Sequence, residues 1–136
     1  MSRIKTCVLA LVFALSAHCA ATALPQSPSE RVQLFASCAG RFSALADHHR
    51  LFDGAASEVA EFKKASFEAL LEATLPDAIA WGMPGRMAFD WRMTAKMAQA
   101  TLLHRSTFTQ DAYIKVRSRE TAAAYLQFCE GQVLGL

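Results

Sequence analysis

Apolar residues at alternating spacings of three and four are the feature of this sequence that most restricts its fold. The residues in this series are Phe35, Cys38, Phe42, Leu45, His49 and Phe52. Such a series forms one stripe along an α-helix and is typical of the seam between antiparallel helices. Valine and isoleucine are sparse elsewhere, and apolar residues do not recur at every second position. The pattern therefore predicts helices and no strands.

Helix start and stop signals divide the chain into four segments. The predicted helices span about residues 29–52, 57–74, 86–104 and 109–133. Ser29 is expected to cap the first helix, Pro76 to stop the second, and Thr107 or Thr109 to cap the fourth. A connection containing proline and glycine separates the second helix from the third. These signals predict an all-α protein with an antiparallel four-helix bundle.

Each of the three later helices carries an apolar stripe that is predicted to face the core. The inward residues expected in the second helix are Val59, Phe62, Ala69, Leu70 and Ala73. In the third they are Phe89, Met93, Met97, Ala100 and His104, and in the fourth Tyr113, Val116, Ala123, Leu126, Cys129 and Val133.

The first 23 residues have the pattern of a secretory signal peptide. Arg3 and Lys5 precede an apolar run from Cys7 to Ala17, which is shorter than the roughly 20 residues that span a bilayer. An Ala-x-Ala site follows, so cleavage is expected after Ala23. The pattern predicts a periplasmic or secreted protein.

Removal of this leader changes the charge balance of the chain. Two of the 14 basic residues lie in the leader, so 12 remain against 12 acidic residues. A neutral chain is not a polybasic nucleic-acid binder. Residues 24–136 are enough for one domain, and no apolar run in them is long enough to cross a membrane.

Two of the four cysteines, Cys38 and Cys129, remain after the leader. Two cysteines in an exported protein most simply form one disulfide. In a bundle whose helices alternate in direction, the start of the first helix lies beside the end of the last. The bond is therefore expected to tie the first helix to the fourth. The sequence contains no Cys-x-x-Cys motif, so it gives no indication of redox catalysis or of haem attachment.

The stretch from Trp81 to Met97 holds four of the five methionines. Met93 and Met97 are four residues apart, which is the spacing of core-facing helical residues, and core packing is the interpretation we favour. Thioether sulfur also suits Cu(I). The alternative is therefore a copper site formed by Met93, Met97 and His104.

Trp81 and Met83 lie on the connection before the third helix, where large apolar side chains have less structural reason to occur. They are the predicted recognition surface.

Histidines near the end of the first helix form a second candidate site. His49 and Asp53 are four residues apart and could share one face, whereas His48 is about 100° away. A structural role near the helix C-terminus is the expected one, with a pH-sensitive contact or a metal site as alternatives. No acidic residue stands three positions before any of these histidines, which excludes a di-iron bundle.

The stretch "CAGRFSALADHHRLFDG", together with the late Cys129, resembles small uncharacterised exported helical proteins of alphaproteobacteria. The resemblance implies a periplasmic setting and no activity. The chain also lacks the nucleophile, phosphate-binding and dinucleotide-binding motifs. We therefore expect a protein that is not an enzyme, needs no cofactor and binds a protein or a small hydrophobic ligand, with copper binding as the alternative.

Overall fold

The computed structural model describes residues 24–133. They form four α-helices and no strand: α1 Pro28–His49, α2 Gly54–Ala80, α3 Arg86–Phe108 and α4 Ala112–Val133. The predicted all-α four-helix bundle is confirmed. The predicted signal peptide lies outside the described residues. No helix within residues 24–133 combines the length and apolar character that crossing a membrane requires.

Helix α1 is the central element of the bundle. Ten of its 22 residues are buried, against four in each of the other helices. The Ser57 hydroxyl at the start of α2 donates to the Ala46 carbonyl oxygen at the end of α1, at 3.1 Å. The rings of Phe42 and Phe67 stack at mid-length, 5.7 Å apart. Helix α2 therefore runs antiparallel to α1.

Helix α3 runs parallel to α1 along its other side. Val32 packs with Ala88 near the start of both helices, and Ala44 packs with Leu103 near their ends. Parallel directions for the first and third helices are what an alternating bundle requires. Helix α4 packs mainly on α3 and reaches α1 near its own C-terminal end.

The disulfide between Cys38 and Cys129 joins α1 to α4, with the two Cα atoms 5.6 Å apart. Both cysteines are buried in a cluster with Phe35, Phe42 and Phe67. The predicted bond between the first and last helices is therefore confirmed.

An unusually close approach between α1 and α3 occurs at Gly40. A Cβ atom built on Gly40 would overlap the backbone carbonyl oxygen of Arg92 and would lie 3.1 Å from the amide nitrogen of Lys96. Because these atoms belong to the α3 backbone, no rotation of a side chain can relieve the overlap. Only small side chains fit where two helix backbones come this close.

This close approach decides which face of α3 is buried. The residues of α3 that are buried are Ala88, Ala95, Gln99 and Leu103. The predicted stripe with Met93 and Met97 faces outward instead. The sequence expectation was wrong for this helix, because the gap between α1 and α3 has no room for a row of methionines.

The predicted inner faces of α2 and α4 are also largely wrong. The residues that are buried are Ser57, Ala60, Phe67 and Ala78 in α2, and Ser118, Ala122, Cys129 and Gln132 in α4. The expected residues Val59, Phe62, Tyr113 and Val116 are exposed. Small residues fill most of the inner positions, whereas Phe67 is buried and the predicted residues Leu70 and Leu126 pack partly buried against the same core cluster.

Several helix ends differ from the predicted ones. Ser27 rather than Ser29 caps α1, and it forms a capping box with Glu30. Pro76 does not stop α2, which continues to Ala80. Pro76 is exposed, so water can reach the carbonyl that loses its hydrogen bond, and the buried Ala78 anchors the last turn in the core.

Helix α3 is longer than predicted, so Thr107 lies inside it rather than at the start of α4. The side chain of Asp111 accepts a hydrogen bond from the backbone N–H of Ile114, at 3.0 Å, and so satisfies the first turn of α4.

Candidate interaction surface

The outward face of α3 is the main candidate site. Its large residues, which we call the α3 stripe, are Phe89, Met93, Met97, His104 and Phe108. Met93 is 37% exposed and Met97 is 60% exposed. Spacings of four and seven residues keep these side chains on one side of the helix. The stripe extends along almost the whole length of α3, which is about 34 Å at 1.5 Å per residue.

The two residues predicted to form the recognition surface differ in their exposure to solvent. Trp81 is 81% exposed, but Met83 is only 7% exposed and packs against Val32 and Ala78. The expectation of an accessible Met83 was therefore wrong.

A helix-terminating motif explains this difference. Gly82 has φ = 95°, and the N–H groups of Gly82 and Met83 donate to the carbonyl oxygens of Ile79 and Ala78. This is the Schellman arrangement, in which the second residue after the cap packs back on the last turn. The signal in the sequence was the glycine between Trp81 and Met83, which marks a left-handed C-cap.

The candidate metal ligands Met93, Met97 and His104 all lie on the exposed α3 stripe. Met93 and Met97 are one helical turn apart, whereas His104 is roughly 10.5 Å further along the axis. The two thioethers are thus the closer pair. Within residues 24–133, no group of three or more His, Cys, Asp or Glu side chains could hold a metal ion.

The ends of α1 and α3 bring histidines and phenylalanines together. The His48 ring lies 5.2 Å from that of Phe52, Phe52 lies 6.2 Å from Phe108, and Phe108 lies 4.9 Å from His104. Phe52 and Phe108 are largely exposed. The predicted pairing of His49 with Asp53 is replaced by a cluster around His48, because α1 ends at His49 and Asp53 caps α2.

Burial lowers the pKa of His48 below its usual value, and the nearby His49 and His104 lower it further. The other groups around His48 are Asp47, Lys96, which pairs with Asp47 at 2.8 Å, and Thr107, whose hydroxyl lies 3.3 Å from Nε2.

Stability is therefore expected to depend on pH through His48. Because its pKa is lowered on folding, the unfolded chain binds a proton first as the pH falls. The contribution of His48 to the free energy of unfolding is fully present above its pKa in the unfolded chain, about 6.5. It is lost as the pH falls through the pKa of His48 in the folded protein. Urea unfolding at pH 7.5 and pH 5 should show a smaller loss for His48→Gln than for the original chain. Equal losses in both proteins would contradict this role.

A polar network that the sequence did not reveal links three helices. Gln99 is 0% exposed; its Nε2 donates to the Ala122 carbonyl oxygen at 3.2 Å, and its Oε1 accepts from Arg41 Nη1 at 3.3 Å. The Arg41 guanidinium lies over the ring of Tyr125, 3.7 Å from its centroid. Burial lowers the pKa of Arg41. Residues 41, 99 and 125 have no fixed spacing, so only the fold brings them together.

A cavity of about 350 Å³ lies where α1, α2 and α4 meet. The stacked rings of Phe42 and Phe67 line it together with Phe62, and the ion pair of Lys63 and Glu130 lies at its edge. Its apolar walls could accept an apolar side chain.

The fold defines an all-α, disulfide-bridged helical bundle with large apolar side chains on its outer faces. Comparisons with protein-family models, with curated proteins and with solved structures found no match.

Proposed function

We propose that this chain is an exported, non-enzymatic binding protein that uses the α3 stripe to dock a protein partner. The observation that carries the proposal is the orientation of α3, which buries alanines and exposes Phe89, Met93 and Met97. Contiguous exposed apolar surface, especially with polar residues at its borders, is typical of interaction sites. The leader pattern and the resemblance support a periplasmic setting.

The chemistry of the stripe fits one mode of recognition. A helix whose apolar anchors recur every three or four residues can lie in an apolar groove of another protein. Methionine is suited to such contacts, since its flexible and polarisable side chain adapts to uneven surfaces. The partner that fits is therefore a protein with an elongated apolar groove.

Photocrosslinking from a residue of the α3 stripe, in cells that produce the protein, tests this proposal. A photoreactive benzoylphenylalanine at position 89 should give a discrete crosslinked protein, and Met97→Glu should reduce its yield at least tenfold, because a charge would enter an apolar contact. Met97 is 60% exposed, so this change should alter the free energy of unfolding by less than about 0.5 kcal/mol.

The matched control is Ala98→Glu, which adds the same charge at an exposed position about 100° around the helix. It should leave the crosslink unchanged, and benzoylphenylalanine at Arg119 on α4 should give none. Equal crosslinking from positions 89 and 119, or equal effects of the two glutamates, would contradict docking through α3.

Copper binding remains the second proposal, because Met93, Met97 and His104 all face solvent on one stripe and are accessible to an ion. Titration of Cu(I) into the original chain and into Met93→Leu/Met97→Leu should show uptake only with the methionines present. Absent uptake, or equal uptake by both proteins, would refute the proposal. The leucines keep the stripe apolar, so the double variant should still dock a protein partner.

A further inference from the structure

A groove of about 500 Å³ lies between α1 and α4, beside the disulfide. Leu34 and Ser37 line it from α1, and the partly exposed rings of Tyr125 and Phe128 line it from α4. Its volume is within the range of 300–1,000 Å³ that is usual for small-molecule sites. No residue of the α3 stripe contributes to it.

Arg41 places a positive charge in this groove. Its guanidinium contacts two groups, the ring of Tyr125 and the carboxamide oxygen of Gln99. Gln99 is itself fixed by complete burial and by its bond to the Ala122 carbonyl. The guanidinium is therefore pre-organised, which lowers the side-chain entropy that Arg41 itself would lose when a ligand binds.

This charge has no anionic counterpart among residues 24–133. Arg50 and Arg92 form ion pairs with carboxylates, but Arg41 forms none in this part of the chain. Its neighbours are the Ser37 hydroxyl, the Gln99 carboxamide, and apolar or aromatic side chains. A half-buried cation without an anion is electrostatically costly, so an incoming anion would be favoured there.

We propose that the groove binds a small organic carboxylate with an aromatic or alkyl body. The carboxylate bonds to the Arg41 guanidinium, whose planar geometry suits a carboxylate group. The body lies against Leu34, Tyr125 and Phe128. This site goes beyond protein docking by α3, and either one can fail without the other.

Calorimetric titration of the disulfide-bonded protein with two probes tests the site. The probes are 1-naphthylacetate and its uncharged analogue 1-naphthylacetamide, which share one aromatic body. The carboxylate should bind at least tenfold more tightly than the amide. Arg41→Gln should remove this preference, while Arg119→Gln, with the same charge change at an exposed position of α4, should retain it.

Two further variants keep the test decisive if Arg41→Gln proves unstable. Arg41→Lys keeps the charge but loses the planar pair of donors, so part of the preference should remain. Phe128→Ser alters an exposed wall of the groove and should weaken both probes to a similar extent.

Equal affinity for the two probes, or no binding of either, would overturn the proposal. So would a preference that Arg41→Gln and Arg119→Gln reduce equally. A peptide ending in phenylalanine that binds at least tenfold more tightly than 1-naphthylacetate would assign the groove to a protein carboxyl terminus and overturn the small-molecule assignment.

Discussion

Replacing Gly40 by alanine should destabilise the protein by roughly 1–3 kcal/mol, which is the usual cost of overpacking a tight interior. The added methyl group would overlap the backbone of α3 at Arg92 and press on Lys96. The two helices would have to separate, and the contacts of Ala44 with Leu103 and of Val32 with Ala88 would loosen. Chemical denaturation measures the change, which should lower Tm by roughly 5–15 °C.

The sign of this effect makes the test strict. Alanine favours a helix over glycine by about 1 kcal/mol, so an unhindered Gly→Ala change inside a helix is stabilising. Gly131 in α4 is the matched control, because a Cβ there would meet nothing within 4 Å. Gly131→Ala should raise stability by roughly 0.5–1 kcal/mol. A stabilising effect of Gly40→Ala would contradict the close approach of α1 and α3 at this residue.

Removal of the disulfide should destabilise the protein even more than Gly40→Ala. The bond closes a segment with a sequence separation of 91 residues. A loop of this size restricts the unfolded chain by about 4–5 kcal/mol in the chain-entropy model. Cys38→Ala/Cys129→Ala should therefore lower Tm by roughly 20–25 °C.

Reductant provides the internal control for this prediction. It should lower the Tm of the original chain to nearly that of the double variant and leave the double variant unchanged. A reductant effect on the double variant would show that the shift does not come from this bond.

The sequence predicted the class of fold and the central helix well. In α1 the predicted residues Phe35, Cys38 and Phe42 lie in the core, so the hydrophobic spacing and the buried spacing coincide there, whereas Phe52 at the end of the predicted stripe is exposed. The cysteine pair was predicted from the leader-like pattern of the first 23 residues and from the alternating direction of the helices.

The inner faces of the other helices could not be predicted from hydrophobic spacing. Alanines occur on several faces of α2, α3 and α4, so more than one face can be buried against a neighbour. The choice on α3 depends on how near two backbones come at Gly40, which is a property of packed helices and not of either sequence segment. The same limit hid the network of Arg41, Gln99 and Tyr125, whose members come from three helices.

The position of the disulfide also determines whether cleavage by a peptidase separates the chain into two pieces. Both α2 and α3 lie within the covalent loop that Cys38 and Cys129 close. A single cut in the exposed turn at Trp81 would leave two fragments, each holding one of the bonded cysteines. The halves would stay attached to each other, and the stripe of α3 would remain tethered to the core it packs on. Separation of the molecule therefore requires both a cut and a reductant.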